Sequence, residues 1–210
     1  PTVVICVPRF FEKMHAKIME QVSKSSKLRK NLFNWSLQVG KDYMNLKLAN
    51  QKINFLLNLK YQVSEVIVYK KIRAKLGGSI KFFISGGAPL SRSIAEFFSG
   101  IGITILEGYG LTETSPVLTS NTPEMLRFGS VGKSLNNVKI KIAKDGEILA
   151  KGPNIMLGYY QNDSATSEVI DADGWFHTGD IGEIDEDGFL KITDRKKSLI
   201  VTSAGKNIAP

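Results

Sequence analysis

The stretches that decide the fold are IKFFISGGAPL, residues 80–90, and ITILEGYGLTET, residues 103–114. Ile80 to Ile84 is a run of aromatic and β-branched residues, which predicts a strand. Ser85 to Leu90 breaks that run with two glycines and a proline. Ser91 to Phe98 then has the apolar spacing of a short helix, with Ser91 placed as its cap. Ile103 to Leu106 predicts a second strand, closed by a loop from Glu107 to Thr114. Strand, crossover helix and strand in this order predict a parallel sheet, whose ligands lie beyond the carboxyl ends of the strands. The two loops fall at that edge and point to one site.

Working outward, Thr2 to Val7 (TVVICV) reads as another buried strand, ended by Pro8. Phe10, Met14, Ile18 and Val22 recur at helical spacing among lysines, an amphipathic helix that Ser23, Ser25 and Ser26 interrupt. Leu28, Leu32, Trp35 and Val39 restart the period, and Tyr43, Leu46, Ile53 and Leu57 carry helix beyond Gly40. Val63, Val66 and Ile67 begin a further helical stretch, stopped by Gly77 and Gly78. After Pro123 the pattern alternates with period two, as in Val138, Ile140 and Ile142. Asp145-Gly146, Asp173-Gly174 and Asp187-Gly188 punctuate it as turns that need positive φ. The expected architecture is therefore α/β: a parallel sheet with flanking helices over 1–125, then a small antiparallel β-barrel-like subdomain over 126–193. Residues 194–210 form an exit segment.

Composition narrows the function classes. Apolar residues make up 42% of the 210 and charged residues 23%, ordinary for a globular chain. There is no apolar run long enough to span a bilayer as a helix. One cysteine, Cys6, excludes an intramolecular disulfide and agrees with a reducing, cytoplasmic setting, as does the lack of a basic-then-apolar leader. The net charge of +8 is uneven: positions 1–81 hold 16 Lys/Arg against 4 Asp/Glu, +12, and the remainder is −4. Such a basic part attracts polyanions or an anionic membrane surface, or simply solvates helix faces. Its lysines are spread out and no nucleic-acid module accompanies them, so nucleic acid is not an expected partner.

Several short segments have side chains suited to a nucleotide. Gly86, Gly87 and Ala88 let backbone come close to a flat ligand or a phosphate, or simply make a tight strand-to-helix turn. Tyr109, between Gly108 and Gly110, offers a face on which a purine can stack. Thr112 has a hydroxyl suited to a phosphate oxygen. Glu113 has a hard carboxylate suited to Mg²⁺, which takes one or two protein carboxylates plus phosphate oxygens. The same two residues equally suit capping of a following turn. Asp180, after Gly179, suits two ribose hydroxyls or a solvated turn. Arg195, in Asp194-Arg195-Lys196-Lys197, suits ribose or phosphate oxygens or a solvated linker. His177 has no local partner and reads as structural ahead of general base, and His15 reads as surface. No Cys/His spacing suggests zinc.

Taken in order, SGGAPL, GYGLTETSP, GEILAKGPNIMLGYY, DGWFHTGDIG and DRKKS make the chain resemble the adenylate-forming superfamily of acyl-CoA synthetases, peptide adenylation domains and luciferases. The opening VPRFFEKMHAKI and the exit TDRKKSLIVTSAGKNIAP resemble its long-chain fatty acyl-CoA synthetase branch. The resemblance implies an adenine pocket at Gly86, Gly87, Ala88 and Pro89, faced by Gly108 and by Tyr109 stacked on the base. It implies Thr112 at the α-phosphate, Glu113 on Mg²⁺, and Asp180 with Arg195 at the ribose. It makes 194–210 a hinge and the start of the C-terminal domain, the hinge running from Asp194 to Leu199 with Lys197 at the pivot, where Ser198 replaces a commonly acidic residue.

The implied activity is ligation of a fatty acid to coenzyme A with ATP and Mg²⁺, through an acyl-adenylate. Another acid-activating enzyme and a non-catalytic nucleotide-binding module are the competing readings. The family's phosphate loop would precede position 1 and its lid domain would follow position 210. The chain alone is therefore expected to be inactive, with bare sheet edges that favour self-association. Peripheral contact with a membrane, where free fatty acid partitions, is a further expectation.

Overall fold

The computed structural model describes residues 1–196, together with the backbone of 200–201 and 207–208. It divides into two compact units, Pro1–Glu107 and Gly108–Pro210. In the first, strands β1 (Val3–Cys6), β2 (Phe82–Ser85) and the opening of β3 (Ile105–Gly110) run parallel, with Val3 opposite Phe82 and Ser85 opposite Glu107. Between β1 and β2 lie α1 (Pro8–Ser23), α2 (Lys27–Leu48), α3 (Phe55–Ser64), a π-helical turn (Glu65–Tyr69) and α4 (Lys70–Lys75). Helix α5 (Arg92–Gly100) is the crossover from β2 to β3. Pro8 opens α1, where its missing N–H leaves no bond unmade.

The core of this unit is aromatic. Phe11 is fully buried and meets Phe83 edge-on with ring centroids 5.6 Å apart and Phe98 at 6.0 Å. The apolar stripe of α1 is thus turned slightly from the expected one, because Phe11 enters the core while Phe10 stays 44% exposed. His15 is not a surface residue: it is half-buried, its ring edge-on to Phe97 at 4.4 Å, and burial pulls its pKa down. Helix α2 runs unbroken through Gly40, and its buried side is Phe33, Ser36, Val39 and Gly40 in place of Leu28, Leu32 and Trp35. The reason is close approach. A Cβ on Gly40 would sit 1.7 Å from the Gly100 carbonyl oxygen at the end of α5 and 2.7 Å from the Tyr69 hydroxyl. That hydroxyl donates to the Ser36 carbonyl, and burial pushes the phenol up to about 12. Ser91 stands at the N-cap of α5, but its hydroxyl shares a hydrogen bond with Ser93 Oγ at 2.8 Å and caps no backbone N–H.

In the second unit the end of β3 pairs antiparallel with β4 (Val117–Ser120), Tyr109 opposite Thr119, and β4 pairs with β5 (Lys133–Ser134). Glu107 to Gly110 is therefore strand and not loop, and the antiparallel pattern starts before Pro123. Glycine makes this possible: a Cβ on Gly110 would fall 1.7 Å from the Pro116 carbonyl oxygen. A curled antiparallel sheet follows, in the order β6 (Lys139–Ile142), β7 (Glu147–Lys151), β8 (Phe176–Ile184), β9 (Leu190–Arg195). The glycines of the three Asp-Gly pairs have φ of +88°, +77° and +84°, as those turns demand. Helix α6 (Asp163–Val169) lies between β7 and β8, capped by the Asn162 side chain on the Ala165 N–H. Tyr109, Leu118, Val138, Ile148, Ala150 and Leu190 form the apolar centre of this unit. Among the described residues no helix is long and apolar enough to cross a membrane.

The contact between α2 and α5 tolerates no side chain at position 40. Gly40→Ala is expected to destabilise the chain by about 2–3 kcal/mol through overpacking against backbone, read as a lowered midpoint in denaturant unfolding. Ala at Gly87, around which nothing lies within 4 Å, meets no such clash, and its cost is the backbone strain of a φ of +80° alone.

Candidate functional site

Strand β3 places the Tyr109 ring in the apolar centre, 9% exposed, and its hydroxyl donates to Asp180 Oδ2 at 2.7 Å. Asp180 lies opposite Arg195 in the β8–β9 ladder, and Arg195 Nε donates to its Oδ1 at 3.2 Å. Segments far apart in the chain thus converge on one carboxylate that is only 5% exposed. A carboxylate so buried requires donors, and these two occupy one acceptor direction on each oxygen. The Tyr109 phenol is held far above its ordinary range, first by burial and then by the adjoining Asp180 charge, so it remains a donor. Arg195 is the solvent-side partner, its side chain 74% exposed. The Asp180 carboxylate is no solvated turn, and Arg195 is no free linker residue.

The backbone around Asp180 is irregular for a reason. Between β7 and β8, the step from Glu147 to Leu149 faces the longer step from Ile181 to His177, a bulge that holds Thr178, Gly179 and Asp180. Gly179 adopts φ +72° there. Thr178 Oγ1 donates to the Ile148 carbonyl at 2.8 Å and accepts the Asp180 N–H at 3.2 Å. Bulges of this kind re-aim a side chain out of the pleat.

Thr112 and Glu113 lie on a 3₁₀ turn, Thr112–Thr114. Thr114 supplies the cap, accepting the Leu111 N–H at 2.9 Å and donating to the Pro116 carbonyl at 2.7 Å. The following chain straps the turn down. Asn154 Nδ2 donates to the Thr114 carbonyl at 2.8 Å and Met156 N–H to the Glu113 carbonyl at 2.8 Å. The Tyr159 hydroxyl donates to Glu113 Oε1 at 3.0 Å. Thr112 is exposed and Glu113 half-buried. Among the described residues no three His, Cys, Asp or Glu side chains group as a metal site. A lone, fixed, hard carboxylate fits Mg²⁺ when phosphate oxygens supply the rest of its shell.

In the first unit, Gly86, Gly87, Ala88 and Pro89 form the turn after β2, with the Gly86 N–H on the Cys6 carbonyl at 3.3 Å and Gly87 at φ +80°. Gly87, Ala88 and Pro89 are exposed and Leu90 anchors the turn in the core. Asp194 Oδ1 accepts the Arg195 N–H at 2.7 Å. Lys197 and Ser198 lie outside the described residues. Sequence reasoning passed over Glu107, Glu147, Tyr159 and Thr178. The readable signal for Glu147 is a carboxylate opening an otherwise apolar strand, EILA, immediately after an Asp-Gly turn.

An AMP-binding enzyme family model matches residues 1–160, and the chain belongs to that adenylate-forming family. Within it, the chain is 43% identical over 210 residues to a long-chain-fatty-acid–CoA ligase of Mycobacterium tuberculosis, covering 100% of this chain and 34% of that protein. It is 38% identical over 216 residues to a long-chain-fatty-acid–CoA ligase of Rattus norvegicus, covering 100% of this chain and 32% of that one. It thus spans about a third of the length of these curated relatives. O-succinylbenzoate coenzyme A synthetase from Bacillus subtilis in complex with AMP superposes with a TM-score of 0.58 at 34% identity, over 67% of this chain and 33% of that one. A Mycobacterium tuberculosis fatty acyl CoA synthetase superposes at 0.53 and 31% identity, over 63% and 28%.

Glu107, buried at the point where β3 leaves the parallel ladder, is raised from 4.5 to about 7 by burial, against a backbone hydrogen bond from Leu90. The folded chain therefore keeps a proton that the unfolded chain releases between pH 4.5 and 7, and stability falls as pH rises through that window. Glu107→Gln is expected to leave the thermal midpoint unchanged at pH 4. At pH 8 it should raise stability by up to ~3 kcal/mol, measured by paired thermal melts.

Proposed function

We propose that this chain is the nucleotide-reading segment of an AMP-forming long-chain fatty acid–CoA ligase. The observation that carries the reading is the buried Asp180 carboxylate, held from both sides by Tyr109 and Arg195. Among the described residues each oxygen of Asp180 has one donor, and the second acceptor direction on each suits one of the paired hydroxyls of a ribose. Arg195, exposed and joined by one hydrogen bond, shares the carboxylate with the incoming sugar at little cost. Tyr109, its hydroxyl engaged by Asp180 and its ring packed in the apolar centre, would support the ribose carboxylate, with only the small exposed part of its ring left for the base.

In the proposed reaction the fatty carboxylate oxygen attacks the α-phosphorus of ATP and the bond to pyrophosphate breaks. The coenzyme A sulfur then attacks the acyl carbonyl carbon, AMP departs with its bridging oxygen, and the thiol proton is lost. The first step brings two anions together, so it needs charge neutralisation and positioning more than a base. Thr112 would donate to the α-phosphate. Glu113, fixed by Tyr159, would hold Mg²⁺, whose part is to neutralise phosphate charge. Identity of 36–43% to long-chain ligases over the whole chain supports the fatty acid as the acid activated.

Calorimetric titration of the chain with AMP and Mg²⁺ tests the ribose assignment. Weak binding is expected, reduced at least tenfold in Asp180→Ala, and equal affinity in the two proteins removes the assignment. In the longer protein that carries this segment, palmitate is expected to be activated in preference to benzoate. The reverse preference would move it to another acid-activating branch. The chain alone is expected to form no acyl-CoA.

A further inference from the structure

We infer that Glu147 is a positioning residue for nucleotide binding, a single carboxylate that ties the residue before Asp180 to the residue after Arg195. The inference rests on the ribose reading of Asp180 and assigns a role to a side chain that makes no contact with Asp180 itself.

Glu147 opens β7 and is 4% exposed. Its Oε1 accepts the Gly179 N–H at 2.9 Å, and its Oε2 accepts from Lys196 Nζ at 2.8 Å and faces His177 Nδ1 at 3.1 Å. Gly179 immediately precedes Asp180 and Lys196 immediately follows Arg195, and Asp180 and Arg195 are direct ladder partners. The carboxylate therefore grips both strands of the pair from one residue away on each side.

The grip is needed because the ladder is broken there. In the β8 bulge, the Gly179 N–H has the Glu147 side chain as its acceptor, while the neighbouring hydroxyl of Thr178 holds the Ile148 carbonyl. Gly179 at φ +72° can be held in place only through its backbone, since it has no side chain to pack. A hydrogen bond to a charged acceptor is the strong kind. On the other strand, Lys196 also reaches Asp145 Oδ2 at 2.7 Å, so two carboxylates neutralise it and its ammonium is held above the ordinary range. Glu147 in turn is held below its ordinary range despite burial, by Lys196, His177 and the Gly179 N–H. His177 completes the cluster, its Nε2 lying 3.7 Å from Asp171 Oδ2, which gives this histidine a structural place.

The consequence is a mechanical coupling. Release of Lys196 frees the end of β9, and with it Arg195. Loss of the Glu147 charge loosens Gly179 and lets Asp180 swing from the Tyr109 hydroxyl. The basic exit segment and the ribose carboxylate then respond to one another through a group that touches neither sugar nor phosphate.

The test is a double-mutant cycle of Glu147→Gln and Lys196→Met, beside Asp180→Ala. It is read as AMP affinity by calorimetry and as the Gly179 and Asp180 amide resonances, which report the coupling with or without AMP. Gln keeps the shape and an acceptor for the Gly179 N–H but removes the charge. Each single variant is expected to weaken AMP about tenfold and to shift the Gly179 amide upfield. The double variant should be no weaker than Glu147→Gln alone. Unmoved Gly179 and Asp180 amides in Lys196→Met, or fully additive losses, overturn the coupling. Wild-type AMP affinity in Glu147→Gln, with binding lost in Asp180→Ala, overturns the positioning role and leaves the ribose reading standing. Unchanged affinity in Asp180→Ala takes down the ribose reading and this inference together.

Discussion

A carboxylate sealed almost completely from water is tolerable only where donors meet it, and Asp180 sets this requirement for the second unit. Its position in β8 obliges β3 to run on as strand far enough to bring the Tyr109 hydroxyl within 2.7 Å. It obliges the β8–β9 ladder to place Arg195 directly across. It also explains why the strand carries a bulge at Thr178–Asp180, since a regular pleat has no means of choosing the direction of one polar side chain independently of its neighbours. The apolar cluster around Tyr109 then supplies the low-dielectric surroundings in which these few hydrogen bonds are strong.

The site's second element, the Thr112–Thr114 turn, is held by different means. No ladder supports it. Thr114 closes it from within, and Asn154, Met156 and Tyr159 hold it from a segment some 40 residues further on. Backbone carbonyls, the Thr114 hydroxyl and one carboxylate oxygen receive these bonds, so the turn presents Thr112 outward while the Glu113 side chain stays fixed. The stretch GPNIMLGYY thereby acquires a physical role: it is the strap of the turn.

Much of this was legible in advance. The parallel strands around SGGAPL, the crossover helix and the Asp-Gly turns follow from local rules, since side-chain spacing and positive-φ glycine are properties of a few neighbouring residues. The identities of Tyr109, Thr112, Glu113, Asp180 and Arg195 as candidates followed from side-chain chemistry and from resemblance. Less legible was any feature decided by close approach. Gly40 reads as one more position in a continuing helix until Gly100 is seen against it, and Gly110 reads as a ligand loop until the Pro116 carbonyl occupies the space of its missing Cβ. Phe11 in place of Phe10, and Phe33 with Ser36 in place of Leu28 and Trp35, show the same limit, because spacing gives a period and packing chooses the face.

By itself, then, the amino-acid order determined most of the element types, the Asp-Gly turn positions, the uneven charge and the family, all carried by neighbouring residues or by ordered motifs. Only the tertiary structure decided that Tyr109 and Arg195 meet on Asp180, that Thr114 rather than Thr112 or Glu113 caps the turn, and that Glu147 joins Gly179 to Lys196. The physical reason is range. A hydrogen bond between residues 32, 49 or 71 positions apart is written in no local pattern, because it exists only once the sheet registers bring its two ends within 3 Å.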